Sequence, residues 1–192
     1  MDNTGDVVVE KLNEGEDTIV SSFSYTLCDN FENLTLSGTG NINGTGNSGN
    51  NILTGNSNNN ILTGGAGNDT YGFGVGAGAD TIVENDATAG NLDTVLLNGT
   101  TTANQLWFQQ VKQDLVVSVI GTNDKLNIQN WYAGSQYHVE QFKTSDGKVL
   151  KDSQVSALVN AMATFTLPAA GQTVLPQNYQ TTLAPVIAAN WH

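Results

Sequence analysis

The chain has 192 residues, with six lysines, no arginine and 18 Asp plus Glu, so its formal net charge is −12 and its pI is about 4.1. A chain this acidic is a poor binder of nucleic acid or of anionic membranes, because both require a basic surface. Hydrophobic residues make up 39% and aromatic residues 7%, which is thin for a conventional globular core but too much for a disordered chain. Asn, Thr and Gly are in excess, at 24, 22 and 21 residues, as in a chain of many tight turns.

The acidic charge lies almost wholly in the first half of the chain. Residues 1–96 hold 13 acidic residues and one lysine, a net charge of −12, whereas residues 97–192 hold five of each and are neutral. Glycine divides in the same way, 16 against 5. The shift predicts a domain boundary close to residue 97, with a first domain over 1–97.

The stretch before residue 46 alternates apolar and polar residues with the period of β-strands. This pattern covers Gly5–Glu10, Asp17–Ser22 and Glu32–Gly38. It predicts irregular upstream coils over residues 1–45 that continue into the repeat described next.

Residues 46–83 contain a nine-residue repeat. Three contiguous units read GNSGNNILT (46–54), GNSNNNILT (55–63) and GGAGNDTYG (64–72), and VGAGADTIV (75–83) follows a two-residue insertion. Each unit divides into a six-residue turn and a three-residue strand with a central apolar residue. The central residues are Leu53, Leu62, Tyr71 and Ile82. Two units make one 18-residue coil, so the pattern predicts an all-β protein built on a parallel β-roll, or β-solenoid, with these residues in a narrow core.

Stacked coils bring the sixth residues of alternate units together. Asn51 should lie over Asp69, and Asn60 near Asp80, which is 20 residues on because of the insertion. Carboxylate, amide and turn carbonyl oxygens form an all-oxygen cage, which suits Ca²⁺ better than Mg²⁺. The sequence has no Cys/His cluster for zinc.

The units resemble the nonapeptide G-G-x-G-x-D-x-U-x of the RTX, or haemolysin-type calcium-binding, proteins. Residues 64–71 match at every defined position if Tyr71 is accepted as the large apolar residue. In that family, turn carbonyls and sixth-position side chains from units two apart surround Ca²⁺. The resemblance implies a first site from Gly46, Ser48, Asn51, Gly65, Gly67 and Asp69. It implies a second site from Gly55, Ser57, Asn60, Gly76, Gly78 and Asp80.

The two asparagines depart from the family pattern. Asn51 and Asn60 stand where the family places Asp, so each implied site has one carboxylate instead of two, and fewer charges weaken Ca²⁺ binding. Stacked asparagines can also replace the metal with amide hydrogen bonds. Two alternatives therefore stay open for residues 37–63, a calcium-binding stack and a metal-free one.

The second half predicts a small β-rich cap over residues 98–165. Its strands are expected at Leu106–Val111, Leu115–Gly121, Lys125–Tyr132, His138–Lys143 and Lys148–Leu150. Residues 145–147 (SDG) signal a hairpin turn. A single C-terminal helix over 153–165 should follow, stopped by Pro168, with an extended or loosely docked tail over 166–192.

The resemblance, which covers about residues 5–165, implies a calcium-binding RTX module. This module would fold on Ca²⁺ binding after type I secretion. The module would carry the C-terminal secretion region of a larger exported bacterial protein. Its expected partners are calcium ions and the type I secretion apparatus, and it is expected to be a secreted monomer without membrane insertion.

No G-x-S-x-G, H-E-x-x-H or phosphate-loop motif occurs in the sequence, so no catalysis is expected. The alternatives are the tail of a secreted enzyme and a surface adhesin whose cap binds a ligand.

Overall fold

A computed structural model describes residues 1, 3, 6, 8–11 and 14–192. In this part of the chain the protein is mostly β, with fourteen strands and two α-helices. The strands are β1 (Thr18–Ser21), β2 (Tyr25–Thr26), β3 (Asn33–Leu36), β4 (Gly44–Thr45), β5 (Ile52–Thr54), β6 (Ile61–Thr63), β7 (Thr70–Phe73), β8 (Ala79–Ile82), β9 (Thr94–Leu97), β10 (Leu106–Val111), β11 (Asp114–Val119), β12 (Lys125–Ile128), β13 (Gln141–Thr144) and β14 (Val149–Lys151). The helices are α1 (Asp152–Met162) and α2 (Gln177–Asn190).

Two of the three upstream strand predictions are confirmed. β1 lies within Asp17–Ser22, and β3 lies within Glu32–Gly38. The third prediction, Gly5–Glu10, includes Gly5 and Val7, which lie outside the described residues, and residues 8–10 are not in a strand.

Successive strands of the first half alternate between two sheets. β1, β3, β5, β7 and β9 pair in parallel in one sheet, and β2, β4, β6 and β8 pair in parallel in the other. Leu53 pairs with Tyr71, and Leu62 with Ile82, so the register follows the repeat units. The two residues between the third and fourth units are accommodated without loss of pairing.

The central apolar residues of the units fill the space between the sheets, as predicted. Leu53, Leu62, Tyr71 and Ile82 are each at most 1% exposed. Burying one such side chain stabilises the fold by about 1.5–3 kcal/mol. The preceding residue of each strand points outward, as the two-residue period of a strand requires, and Ile52 is 48% exposed.

The second half of the chain continues both sheets. β12 pairs in parallel with β8, and β13 pairs in parallel with β9. The end of each sheet is antiparallel. In one sheet β11 pairs with both β10 and β12, and in the other sheet β13 pairs with β14. Both sheets are therefore mixed, and the change in composition near residue 97 does not interrupt them.

Helix α1 forms where the sequence predicts a helix, but it is shorter. It ends at Met162, and Val155, Leu158 and Met162 are each 1% exposed. Phe165, the last residue of the predicted helix, lies beyond the end of α1 and packs against Tyr179, with ring centroids 4.4 Å apart.

The prediction of a single C-terminal helix and an extended or loosely docked tail over 166–192 is wrong. Residues 177–190 form α2, which packs against α1 and buries Leu183 and Ile187. Pro185 lies inside this helix and removes one backbone donor, which disfavours a helix at this position. Pro185 is on the exposed side, where water can satisfy the freed carbonyl, and burial of the opposite face offsets its cost. The last residue is also ordered, because His192 pairs with Val149 through two backbone hydrogen bonds.

Candidate metal centre

The turns of alternate units stack in direct contact. A Cβ built on Gly67 would lie 2.6 Å from the Gly49 carbonyl oxygen, and one on Gly78 would lie 2.6 Å from the Asn58 carbonyl oxygen. Both glycines have positive φ, +113° and +87°, which side chains of L-residues rarely allow. Gly65 lies in the same way against the carbonyl of Asn47. Glycine at these positions therefore brings the backbone of one turn against the carbonyls of the turn below.

The sixth residues form a ladder along one side of the stack. The Asn51 N–H donates to Asp69 Oδ1 (2.8 Å), and the Asp69 N–H donates to Asp93 Oδ1 (2.8 Å). The Asp93 N–H then donates to Glu140 Oε2 (2.6 Å) in the second half. On the other side, the Asn60 N–H donates to Asp80 Oδ1 (2.9 Å). The predicted stacking of residue 51 on 69 and of residue 60 on 80 is thus what the structure shows.

Asp69 and Asp80 each bury one carboxylate oxygen that has no hydrogen-bond partner. Asp69 is 0% exposed and Asp80 is 2% exposed, and Oδ2 of both is buried and unpartnered. A buried polar atom without a partner is costly, so it marks a place where a ligand fits. An unpaired carboxylate oxygen is a ligand of the kind that Ca²⁺ takes, and both residues therefore fit the metal.

The amides of Asn51 and Asn60 are already engaged within the protein. Asn51 Oδ1 accepts from the Asn47 N–H (2.7 Å), and its Nδ2 donates to the Phe31 carbonyl (3.2 Å). Asn60 Oδ1 accepts from the Asn56 N–H (2.8 Å), and its Nδ2 donates to the Ile42 carbonyl (2.6 Å). These bonds are those of a metal-free asparagine stack. Coordination of a metal by Asn51 and Asn60 stays a prediction.

The second implied site is built around a cavity. Gly55, Ser57, Gly76 and Asp80 all line one cavity of about 250 Å³. Gly78 belongs to the same turn, and the N–H groups of Gly76 and Gly78 both donate to the carboxylate of Asp124 (2.9 Å each). Asp124 comes from the loop before β12, so a residue of the second half holds this turn.

The residues of the first implied site do not all line one cavity. Ser48 and Asn51 line a separate cavity of about 440 Å³ that also includes Glu32. Gly46 lies against the Asn51 amide and the Gly64 carbonyl, and Gly65 and Gly67 lie in the turn 64–69. The ligand roles of Gly46, Ser48, Gly65 and Gly67 stay predictions.

The environment of the buried carboxylates disfavours their charged forms. Burial raises the pKa of Asp69 to about 7, opposed by the hydrogen bond from the Asn51 backbone. The pKa of Asp80 is also raised to about 7, mainly by burial and in smaller part by the neighbouring Asp124 charge, against the hydrogen bond from the Asn60 backbone. A bound cation that replaces the proton stabilises the charged form of such a carboxylate.

Several residues near these sites were missed from the sequence. Glu84 and Asp93 lie with Asp69 in a buried group of carboxylates, and Glu140 bonds to Asp93. The Asp-Thr pair at 93–94, which also occurs in the repeat, signalled Asp93. Nothing in the sequence pattern signalled Glu84 or Glu140. A second group, of Glu10, Asp17 and Glu32, is half-buried at the other end of the stack.

Stacked glycine turns and buried carboxylates with unpartnered oxygens are features that suit a calcium-binding repeat. A family model described as the RTX calcium-binding nonapeptide repeat (4 copies) matches residues 45–82. A model described as the haemolysin-type calcium binding protein related domain matches residues 114–154. The two matches support the prediction of an RTX-type calcium-binding protein, and Ca²⁺ is the metal of such repeats. Among the residues that the structure describes, neither helix has the length and apolar character needed to cross a membrane.

Proposed function

We propose that this chain is a module that folds into a parallel β-roll when its repeats bind Ca²⁺, and that it does so after export. The observation that carries the proposal is the pair of buried, unpartnered carboxylate oxygens of Asp69 and Asp80. They lie in repeats of a calcium-binding type, and their surroundings raise the pKa of both groups. Bound Ca²⁺ supplies the positive charge and the oxygen coordination that these two side chains otherwise lack.

The charge distribution supports dependence of folding on the metal. Residues 1–96 carry a net charge of −12. Within residues 14–192 the one ion pair joins His138 and Asp152, so no acidic side chain from Glu14 to Asp93 is neutralised by a salt bridge. Self-repulsion favours the unfolded repeat when Ca²⁺ is scarce, and a ligand that binds only the folded state stabilises that state by mass action.

The experiment is a Ca²⁺ titration of the chelated protein, followed by far-UV circular dichroism. We expect β-sheet signal to increase with Ca²⁺ and to fall again when EDTA is added. Mg²⁺ at the same concentrations is the control, because it keeps its waters and fits a flexible cage poorly. A signal that is independent of Ca²⁺ and of EDTA would disprove the proposal.

We further propose that the chain is a non-catalytic, secreted part of a larger bacterial protein that leaves the cell by the type I route. The resemblance to RTX proteins supports this, with the secretion region within roughly the last 60 residues. That region is folded into β13, β14, α1 and α2, so the apparatus would recognise it before folding. Export of a carrier protein fused to this region, in cells with and without a type I apparatus, tests the route. Equal export from both strains would contradict it.

A further inference from the structure

A groove runs along α2 in the second half of the chain, and two neighbouring cavities form it. The first, of about 360 Å³, lies between α2, residues 173–175 and a 3₁₀ turn at Ala103–Gln105. The second, of about 400 Å³, lies between the same turn, α2 and the hairpin of β13 and β14. Both volumes are in the range of small-ligand sites, about 300–1,000 Å³. The two cavities share Thr102, Asn104 and Ala184, so they adjoin.

Two glutamine side chains of the first cavity are fixed at one end of the amide and unpaired at the other. Gln105 Oε1 accepts from the N–H and the hydroxyl of Thr102 (3.0 Å each), which leaves Nε2 as a donor without a partner in the described part of the chain. Gln180 Nε2 donates to the Leu175 carbonyl (2.7 Å), which leaves Oε1 as an acceptor with no partner among the same residues. A backbone N–H binds only the oxygen of an amide, and a carbonyl binds only its nitrogen. The first cavity therefore has one fixed donor and one fixed acceptor in its wall.

The second cavity has a buried donor in its wall. Trp191 is 5% exposed, and its Nε1 is buried without a hydrogen-bond partner. The backbone beside it is fixed, because His192 makes two hydrogen bonds to Val149 (2.8 and 3.1 Å). A buried donor without a partner is costly, and an acceptor atom of a ligand in this cavity would satisfy it. Lys148 adds a second donor, since it forms no ion pair within residues 14–192.

The lining of the groove combines neutral polar side chains with apolar ones. The polar side chains are amides and hydroxyls, apart from one pair of opposite charges, Asp146 and Lys148. The apolar side chains include Val174, which is 66% exposed. One lysine is too little for nucleic acid or another polyphosphate, and so many polar groups do not suit a lipid chain. A ligand that fits this groove carries donors, acceptors and an apolar face.

We propose that this groove binds an oligosaccharide. A sugar ring has neighbouring hydroxyl groups that both donate and accept, and C–H faces that pack on apolar and aromatic side chains. The donor of Gln105 and the acceptor of Gln180 suit two such hydroxyls, and Trp191 Nε1 suits a further hydroxyl or a ring oxygen. From residue 180 to residue 191 the helical rise gives the groove a length of about 16 Å, which accommodates a short chain of sugars.

The site gives the second half of the chain a role besides closing the sheets. All of its lining residues come from positions 102–191, so none belongs to the repeat. A chain with this groove would attach to a surface that carries the oligosaccharide, which is the ligand-binding role that the sequence left open for the cap. The inference goes beyond the proposed function and does not rest on it.

The first test applies the wild-type protein, in Ca²⁺, to an array of neutral and acidic oligosaccharides that also carries short peptides. We expect binding to oligosaccharides. A protein that is folded by circular dichroism but binds no oligosaccharide, or binds peptides alone, would overturn the inference. Failure of the proposed function is a different result, a β-sheet signal that Ca²⁺ does not change.

The second test blocks the groove and measures affinity for the array oligosaccharide by isothermal titration calorimetry. Ala184 is exposed and lines both cavities, so Ala184→Phe fills the groove and should abolish binding at concentrations that saturate the wild type. Ala189→Phe is the matched control, because it makes the same change at an exposed alanine of α2 that lines neither cavity. It should bind as the wild type does. Equal affinities of the two variants would place the oligosaccharide elsewhere and overturn the inference.

A third variant tests the buried donor. Trp191→Phe keeps an aromatic ring but removes Nε1–H, so it should bind the oligosaccharide roughly two- to tenfold more weakly, which corresponds to the loss of one hydrogen bond. Circular dichroism of the variant checks that the fold is kept. An unchanged affinity would exclude Trp191 from the site and overturn the assignment of the second cavity.

Discussion

Asp69 and Asp80 are set apart from the other acidic residues of the repeat half by how their two oxygens are used. One oxygen accepts a backbone N–H from the coil before it, which fixes the side chain, and the other is buried without a partner. The first interaction positions the carboxylate, and the second leaves it free for a metal. An asparagine can keep the first interaction but supplies no charge for the second.

Asp80→Asn should therefore separate stacking from metal binding. Without Ca²⁺ we expect the β-sheet signal to be equal to that of the wild type or larger, because a buried charge is removed and Asn can still accept the Asn60 N–H. With Ca²⁺ at about 100 times its Kd, the variant should lose up to about 2.7 kcal/mol of stabilisation at this site. Urea unfolding with and without Ca²⁺ measures both effects.

Glu16→Gln is the control for Asp80→Asn, because it removes one acidic charge of the same half from an exposed position. It should change the Ca²⁺-dependent shift in the urea midpoint very little. The interpretation is contradicted if both variants reduce that shift equally, since the effect would then be one of net charge.

The raised pKa values predict an unusual pH dependence for the metal-free protein. Burial raises the pKa of Asp69 and Asp80 to about 7 and that of Glu84 to about 8, from ordinary values near 4. Between about pH 4 and pH 8 the folded state then binds more protons than the unfolded state, so the free energy of unfolding falls as pH rises. In EDTA, we expect more β-sheet signal at pH 5 than at pH 8.

Calcium should reverse this pH dependence, because it binds the deprotonated carboxylates and its affinity rises over the same range. A Ca²⁺ titration at pH 5.5 and at pH 8 measures the change. A metal-free protein whose stability is flat or increasing between pH 5 and pH 8 would show that these carboxylates are not protonated in the fold.

At the scale of the element, the fourth unit offers two glycines that differ in one respect. Gly76 and Gly78 have nearly equal φ, +85° and +87°, but a Cβ on Gly76 meets nothing within 4 Å, whereas one on Gly78 meets the Asn58 carbonyl. Gly76→Ala should cost only the conformational penalty of about 1–2 kcal/mol. Gly78→Ala should cost about 1–3 kcal/mol more, because the stacked turns must move apart.

Urea midpoints of the two glycine variants in Ca²⁺ measure the difference, with Gly76→Ala as the internal control for φ. Equal destabilisation would show that turn stacking at Gly78 tolerates a methyl group. A larger loss at Gly78 would show that close contact between turns, and not φ alone, requires glycine in this repeat.

The elements that the sequence predicts well are those with local signals. The nine-residue period predicts the strands, the register and the inward residues, because each unit repeats the same turn and the same apolar position. Helix α2 could not be predicted, because Pro185 argues against it and only packing against α1 outweighs that cost. Glu84 and Glu140 could not be placed either, since their positions depend on contacts between distant segments.

At the scale of the whole molecule, the two halves share both sheets, so they should unfold together. β8 and β9 of the repeat half pair directly with β12 and β13 of the second half. Without the second half, these strands would be unpaired edges next to the buried carboxylates. Repeat proteins whose units are coupled through such interfaces unfold cooperatively when the interfaces are strong.

The tryptophans provide the measurement, because all three lie in the second half, at positions 107, 131 and 191. In Ca²⁺, urea unfolding followed by tryptophan fluorescence and by far-UV circular dichroism should give one midpoint. Asp80→Asn should lower both midpoints together, although Asp80 lies in the repeat, because the loss at its turn is transmitted through the β8–β12 pairing. A fluorescence midpoint that stays at the wild-type value while the circular dichroism midpoint falls would show that the second half folds independently of its repeat. The shared sheets would then be a contact between two autonomous units and not one cooperative structure.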